Sequence, residues 1–248
     1  MLTPWIAVVL AAVAGLGLGL VTPALLRGLP EPSPEPGGDP SANAADRVRS
    51  DRTGDGRSAD DHDADKIPYA SLATQEFALV VGVLATVSVA MTAMALPIAV
   101  QPTWLVLGTL GLLLAAIDAR TTWLPLPLTR LAWLAMAGAE AVGGLLGGWL
   151  LALRGVGGFL VAGAVFGAAW LLTRGGFGFG DVRYAPLVGA ATASTSWTML
   201  AGALLLGSLV GAVVALVRLG AGRRGSFAYA PSILAGGYLA VALNWLTR

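Results

Sequence analysis

Only four acidic residues, Glu76, Asp118, Glu140 and Asp181, lie outside one hydrophilic stretch of this 248-residue chain. Two of them carry a chemical possibility. A pair of carboxylates sharing one proton can hydrolyse a peptide bond: the ionised member takes a proton from water while the protonated member gives one to the substrate. Competing chemistries are poorly supplied. There is no cysteine, which removes thiol nucleophiles, disulfides, iron–sulfur ligation and Cys-based zinc sites. The single histidine, His62, sits in the hydrophilic stretch and reads as a surface residue, so a Ser/His triad has no base. No metal, cofactor or nucleic-acid partner is expected.

Asp118 closes the apolar run Leu112-Leu113-Leu114-Ala115-Ala116-Ile117. It is either a reacting group or an interfacial residue paired with Arg120 or Arg130, since helix ends tolerate charge. Asp181 follows Gly175-Gly176-Phe177-Gly178-Phe179-Gly180. Glycines there let another backbone or an extended peptide come close, but the same residues suit a plain turn with Asp181 capping the next helix. Glu140 falls near the middle of an apolar segment, where an unpaired carboxylate is costly. It is either protonated and hydrogen-bonded to a neighbouring helix or part of a polar cavity near the aspartates.

The elements that position these residues follow from composition. The chain is 56% hydrophobic and 12% charged, with a mean hydropathy of +0.76. A bilayer core needs ~20 apolar residues per helix and forbids unpaired backbone, so hydropathy translates into helices. The fold expected is all-α, a polytopic transmembrane bundle. Eight spans are read, about 4–26, 74–97, 103–118, 128–151, 156–173, 182–194, 198–218 and 231–246; seven is the alternative count. The N-terminus has no basic region and no A-x-A-like site, and reads as a retained first span. Lys and Arg bias favours both termini outside, with Arg27, Arg120, Arg130, Arg174, Arg183, Arg218, Arg223 and Arg224 at cytoplasmic ends and Arg154 and Arg248 facing out. That topology puts Asp118 and Asp181 on the cytoplasmic side.

Residues 1–27 then form the first span, 28–73 a hydrophilic cytoplasmic loop and 74–248 a membrane-embedded domain. The loop starts with Pro30, Pro32, Pro34, Pro36 and Pro40 and continues with mixed Asp and Arg; it buries too little apolar surface to offset chain entropy, so disorder is expected. Gly143, Gly144, Gly147 and Gly148, and then Gly155, Gly157 and Gly158, read as close helix packing, Gly144 and Gly148 having a small-xxx-small spacing.

At this point the motifs resemble a known family. Gly178-Phe179-Gly180-Asp181 matches the GxGD signature of the GxGD aspartic peptidases. Asp118 opens Asp118-Ala119-Arg120-Thr121-Thr122-Trp123-Leu124-Pro125, which resembles the first-aspartate segment of the prepilin leader peptidases. Arg183 stands where that family usually has Lys, and Phe227-Ala228-Tyr229-Ala230-Pro231 resembles its approach to the last span. The similarity runs over about 75–246. It implies Asp118 and Asp181 as catalytic residues, with Gly178, Gly180, Arg183 and Pro125 supporting them. It also implies cleavage of N-terminal leaders from prepilin-like or pseudopilin precursors at the cytoplasmic face of a bacterial cell membrane.

Two departures stand out. Leu126 replaces the Asp that usually follows the Pro, and the first loop lacks the paired cysteines of members that also methylate the new N-terminus. Methyltransferase activity is therefore not expected. Two other classes remain as rivals: a transporter with a proton path through Asp118, Glu140 and Asp181, and an inactive membrane scaffold.

Overall fold

The computed structural model describes residues 4–31, 67–173, 178–222 and 228–247. Residues 32–66, 174–177 and 223–227 lie outside the described residues, and with them the expected disorder of most of the loop, the placement of His62 and part of the glycine-rich stretch.

The described chain is a helical bundle. Its helices are α1 (Pro4–Gly28), α2 (Gln75–Ala95), α3 (Ile98–Thr121), α4 (Leu126–Gly147), α5 (Trp149–Leu172), α6 (Phe179–Thr195), α7 (Trp197–Gly220) and α8 (Ala230–Leu246). A 3-10 turn at Tyr69–Leu72 precedes α2. Each segment read from hydropathy corresponds to one of these helices. Five of them, α1, α2, α3, α5 and α7, are long and apolar enough to cross a membrane by themselves. The apolar helices and their exposed flanks, such as Leu16, Leu145, Leu172 and Leu205, fit a multi-pass membrane protein.

Local sequence explains most helix boundaries. Thr74 caps α2 by accepting from the Phe77 N–H at 3.2 Å, and Ser196 caps α7 by accepting from Met199 N–H at 3.0 Å. The α2–α3 corner is stitched by Gln101, whose Nε2 donates to the carbonyls of Thr92 (2.8 Å) and Leu96 (3.0 Å). That bond lets α3 begin before Pro102, so it is longer than the 103–118 span expected. Its middle, Leu107–Gly111, widens into a π turn. Thr122 ends it in the left-handed region, φ 57°, its N–H donating to the Asp118 carbonyl at 2.7 Å.

The α4–α5 corner differs from expectation. It lies at Gly148, φ 93°, a conformation that L residues rarely adopt, and not near Arg154, which sits in the second turn of α5. Gly144 and Gly148 therefore do not act as a packing pair. Gly144 faces Ala152 across the corner and Gly148 makes the turn.

Neighbouring helices pair as α1 with α2, α5 with α6 and α7 with α8. α6 runs through the centre: from Tyr184 to Ser194 every residue is buried. Its contact with α5 depends on two glycines. A Cβ on Gly158 would run into Ala193 and the Gly189 carbonyl, and one on Gly189 into Gly158 and Ala162. α8 packs against both α3 and α6, so it touches the two helices that carry the aspartates.

Candidate active site

Asp118 lies near the C-terminal end of α3 and Asp181 in the first turn of α6, and both are buried. They meet at a third element. The Ala230 N–H, the first amide of α8, donates to Asp118 Oδ2 at 3.2 Å. Asp181 lies within electrostatic reach of the same Ala230 amide and of that of Tyr229, which favour its charged form, and feels the charge of Asp118. These are N–H groups that a helix start leaves without intrahelical partners, and they stand at the positive end of the helix dipole. The arrangement can hold negative charge between two carboxylates. Tyr229 is set in place because its ring packs where Gly211 of α7 has no side chain.

Either alternative for the aspartates taken singly fits less well. The hydrogen bond of Asp118 goes to a backbone amide, while Arg120 and Arg130 stand exposed. Asp181 is not the cap of α6: Gly178 holds that position, and the Asp181 N–H closes the turn onto the Gly178 carbonyl at 3.1 Å.

The supporting residues divide. Gly178 lies against Asp181, and Gly180 against the turn that follows Asp118. A Cβ on Gly178 would stand 2.9 Å from Asp181 Oδ2, and one on Gly180 would press on Leu124 at 3.1 Å. Leu124 and the buried Pro125 belong to the turn after Asp118, so the glycines let the two aspartate segments lie against each other. Because Gly178 has an ordinary φ of −63°, Gly178→Ala strains no backbone and displaces only the carboxylate. We expect that variant to stay folded and to lose activity by ten- to a hundredfold, on the order of what a small misplacement of a reacting group costs, measured as turnover of a precursor substrate.

Arg183 lies two residues on, about 200° around the helix from Asp181. Its guanidinium stacks over the Phe179 ring at 4.6 Å, and its carbonyl accepts from Trp133 Nε1 at 3.0 Å, tying α6 to α4. Glu140 is not brought to the aspartates. It is buried between α4, α5 and α6, where Ser194 Oγ donates to Oε1 at 2.9 Å and Gly155 makes room for the carboxyl. Ser194 is thirteen residues beyond Asp181 on one helix, roughly 20 Å at 1.5 Å per residue.

Three groups near the pair were not singled out from sequence. The Ala230 amide is one: its segment resembles the family's approach to the last span, but no side-chain pattern assigns that amide a role. Tyr184, one turn beyond Asp181, donates to the Gly111 carbonyl at 3.1 Å, at the end of the π turn, and so ties α6 to α3. Tyr69 of the 3-10 turn is buried within the electrostatic reach of Asp118. Burial first, then Glu31 and Asp118, push its hydroxyl up to about 12, so it stays a neutral donor. The turn itself is clamped by Glu31, whose carboxylate accepts from Tyr69 N–H at 3.0 Å and Ala70 N–H at 3.2 Å. Glu31 was an anonymous member of the loop's acids; a carboxylate paired with two amides thirty-eight residues away leaves no local signal.

Comparison with protein families gives a match for part of the chain. Residues 105–216 match the type IV leader peptidase family. The matched stretch, a little under half of the chain, contains Asp118, Pro125, Gly178, Gly180 and Asp181, and supports a prepilin-peptidase-type domain. It supports a leader-peptidase-like function and indicates a peptidase, a hydrolase, in a membrane setting. Comparison with curated proteins and with solved structures gives no match.

Proposed function

We propose that this protein is a membrane aspartic endopeptidase that removes the N-terminal leader of prepilin-like or pseudopilin precursors, with Asp118 and Asp181 as its catalytic pair. The observation that carries the reading is the convergence of both carboxylates on the Ala230 amide. In this reaction the ionised carboxylate takes a proton from water, and the oxygen adds to the scissile carbonyl. The protonated partner donates to the carbonyl oxygen; collapse of the adduct returns that proton to it, while the proton taken from water passes to the departing mature-side amine and the leader leaves as the carboxylic acid. Which aspartate starts as base belongs to the pair and not to either residue. The α8 amides hold the remaining charge and need no reorientation during the step.

The peptidase unit we assign is residues 74–248, preceded by a first span, 1–27, and a cytoplasmic loop, 28–73. With N-terminus and C-terminus outside, cleavage occurs at the cytoplasmic face of a bacterial cell membrane. The loop carries no cysteine, so this chain has no counterpart to the zinc loop of methylating members. Incubating membranes that contain the protein with a pilin-like precursor tests the proposal: leader loss is expected, and its absence across a panel of such precursors would sink it.

The transporter reading fares less well, because a proton path needs Asp118, Glu140 and Asp181 in sequence. Glu140 instead bonds Ser194 at the far end of α6. Glu140→Gln should therefore keep leader removal within about twofold of the parent, as expected of a site that shares no partner with the pair. A loss comparable to that of an aspartate variant would return Glu140 to the mechanism.

A further inference from the structure

A lateral groove with a volume of about 680 Å³ runs along the helix that carries Asp118, although neither aspartate is among its lining residues. Its walls are α2 (Phe77, Val80, Leu84), α3 (Leu112, Ala115) and α8 (Leu234), and it extends from Thr74 to Ser88 along α2. That is fourteen residues, roughly 20 Å of helix. Its polarity is graded. Ser71, Thr74, Glu76 and Arg120 stand at the mouth, and the interior is apolar down to Ser88 and Tyr238.

The groove adjoins the site through chain neighbours of its residues. Ala115 and Ala119 precede and follow Asp118 on α3, and Pro231 follows Ala230, whose amide holds Asp118. The 3-10 turn clamped by Glu31 supplies Ser71 and Leu72 to the mouth. Val80 and Leu84 are about half exposed, at 56% and 47%, so the groove opens sideways to the surroundings of the bundle. A second apolar groove, about 380 Å³ between α1 and α2, shares none of this: Gly15, Leu20, Pro23 and Leu79 line it, and neither α3 nor α8 reaches it.

We propose that the groove between α2, α3 and α8 seats the apolar helix of the precursor, entering from the bilayer, with its polar N-terminal end at the mouth. This rests on the peptidase reading above. The mouth lies at the chain neighbours of Asp118 and Ala230, where a free apolar face would have no reason to end. An occupant that is apolar over some 20 Å and polar where it meets Arg120 and Glu76 matches both ends of the groove. An apolar helix seated there places the peptide bond that follows its polar end beside Asp118, which orients the substrate without any contact to the bond itself.

The absence of cysteine makes the test direct. Leu84→Cys and Ala235→Cys mark the groove, and Leu79→Cys marks the other face of α2. Each is combined with Asp118→Asn, so that precursor persists, and reconstituted with a pilin-like precursor carrying single cysteines along its apolar helix. Oxidation should cross-link both groove variants, with a three- to four-residue periodicity along the precursor, and leave Leu79→Cys free. In the active protein, Leu84→Trp should raise KM for the precursor about tenfold with kcat within twofold, a loss of binding and not of chemistry.

Leader removal by the parent protein is measured on the same precursor. Cleavage without groove cross-links, or with links at Leu79→Cys instead, overturns the groove and spares the peptidase. No cleavage of any precursor overturns both. A photoreactive phospholipid that labels the groove and is not displaced by precursor would make it a lipid site and also overturn the proposal.

Discussion

Asp118→Asn and Asp181→Asn are each expected to lower leader removal by roughly four orders of magnitude, and the double variant to be no worse than the poorer single, because residues acting as one unit lose their effect together. Asn keeps the shape of the carboxyl and an oxygen for the Ala230 amide, whose bond to Asp118 Oδ2 spans 3.2 Å. It cannot exchange the proton that the reaction moves twice. Insertion and packing should therefore survive. The check is the ratio of mature to precursor protein in proteoliposomes, read beside a thermal unfolding curve for each variant. Turnover near the parental rate in either variant would remove the pair from the chemistry, however close the two carboxylates lie.

Gly158→Leu has the largest expected effect on the fold. α5 and α6 touch through backbone at Gly158 and Gly189, and a Cβ at either position already meets the opposite helix. In lipid, helices associate by packing and not by escape from water, so close approach is most of what holds them. A full side chain forces the helices apart at a cost of about 1–3 kcal/mol or more. α6 carries Asp181, so the same displacement also takes the carboxylate away from the α8 amides. Lower thermal stability with a loss of leader removal is expected; Gly158→Leu with parental unfolding temperature would mean that the two helices do not pass this closely in the membrane.

The eight helices were legible because membrane spans announce themselves as long apolar runs. The corners were not. The α4–α5 turn was expected near Arg154, since charge suggests an exit from the bilayer, but Gly148 supplies the positive φ that a tight corner needs, and hydropathy is blind to it. α3 was read short, as 103–118, and the Gln101 side chain that stitches the corner before it is a tertiary bond that hydropathy does not register. At the candidate site, both carboxylates could be named from sequence, since each is an isolated acid bordering an apolar run. Their common partner could not, because a backbone amide has no residue type. Glu140 was placed between two readings, and Ser194 supplies a neighbouring-helix hydrogen bond of the first kind.

The Glu31 clamp has a consequence for how the chain can vary. It fastens residue 31 to residues 69 and 70, so the polypeptide leaves and re-enters the bundle at one point. The clamp closes the segment between these residues into a loop. For such a loop each doubling in length costs only about 0.6 kcal/mol of closure entropy. The clamp thus separates two kinds of constraint along a single chain. Residues on the bundle side are held to the geometry of the aspartates, while a change of length between the clamped ends is expected to leave leader removal within about twofold of the parent, a cost on the scale of loop closure.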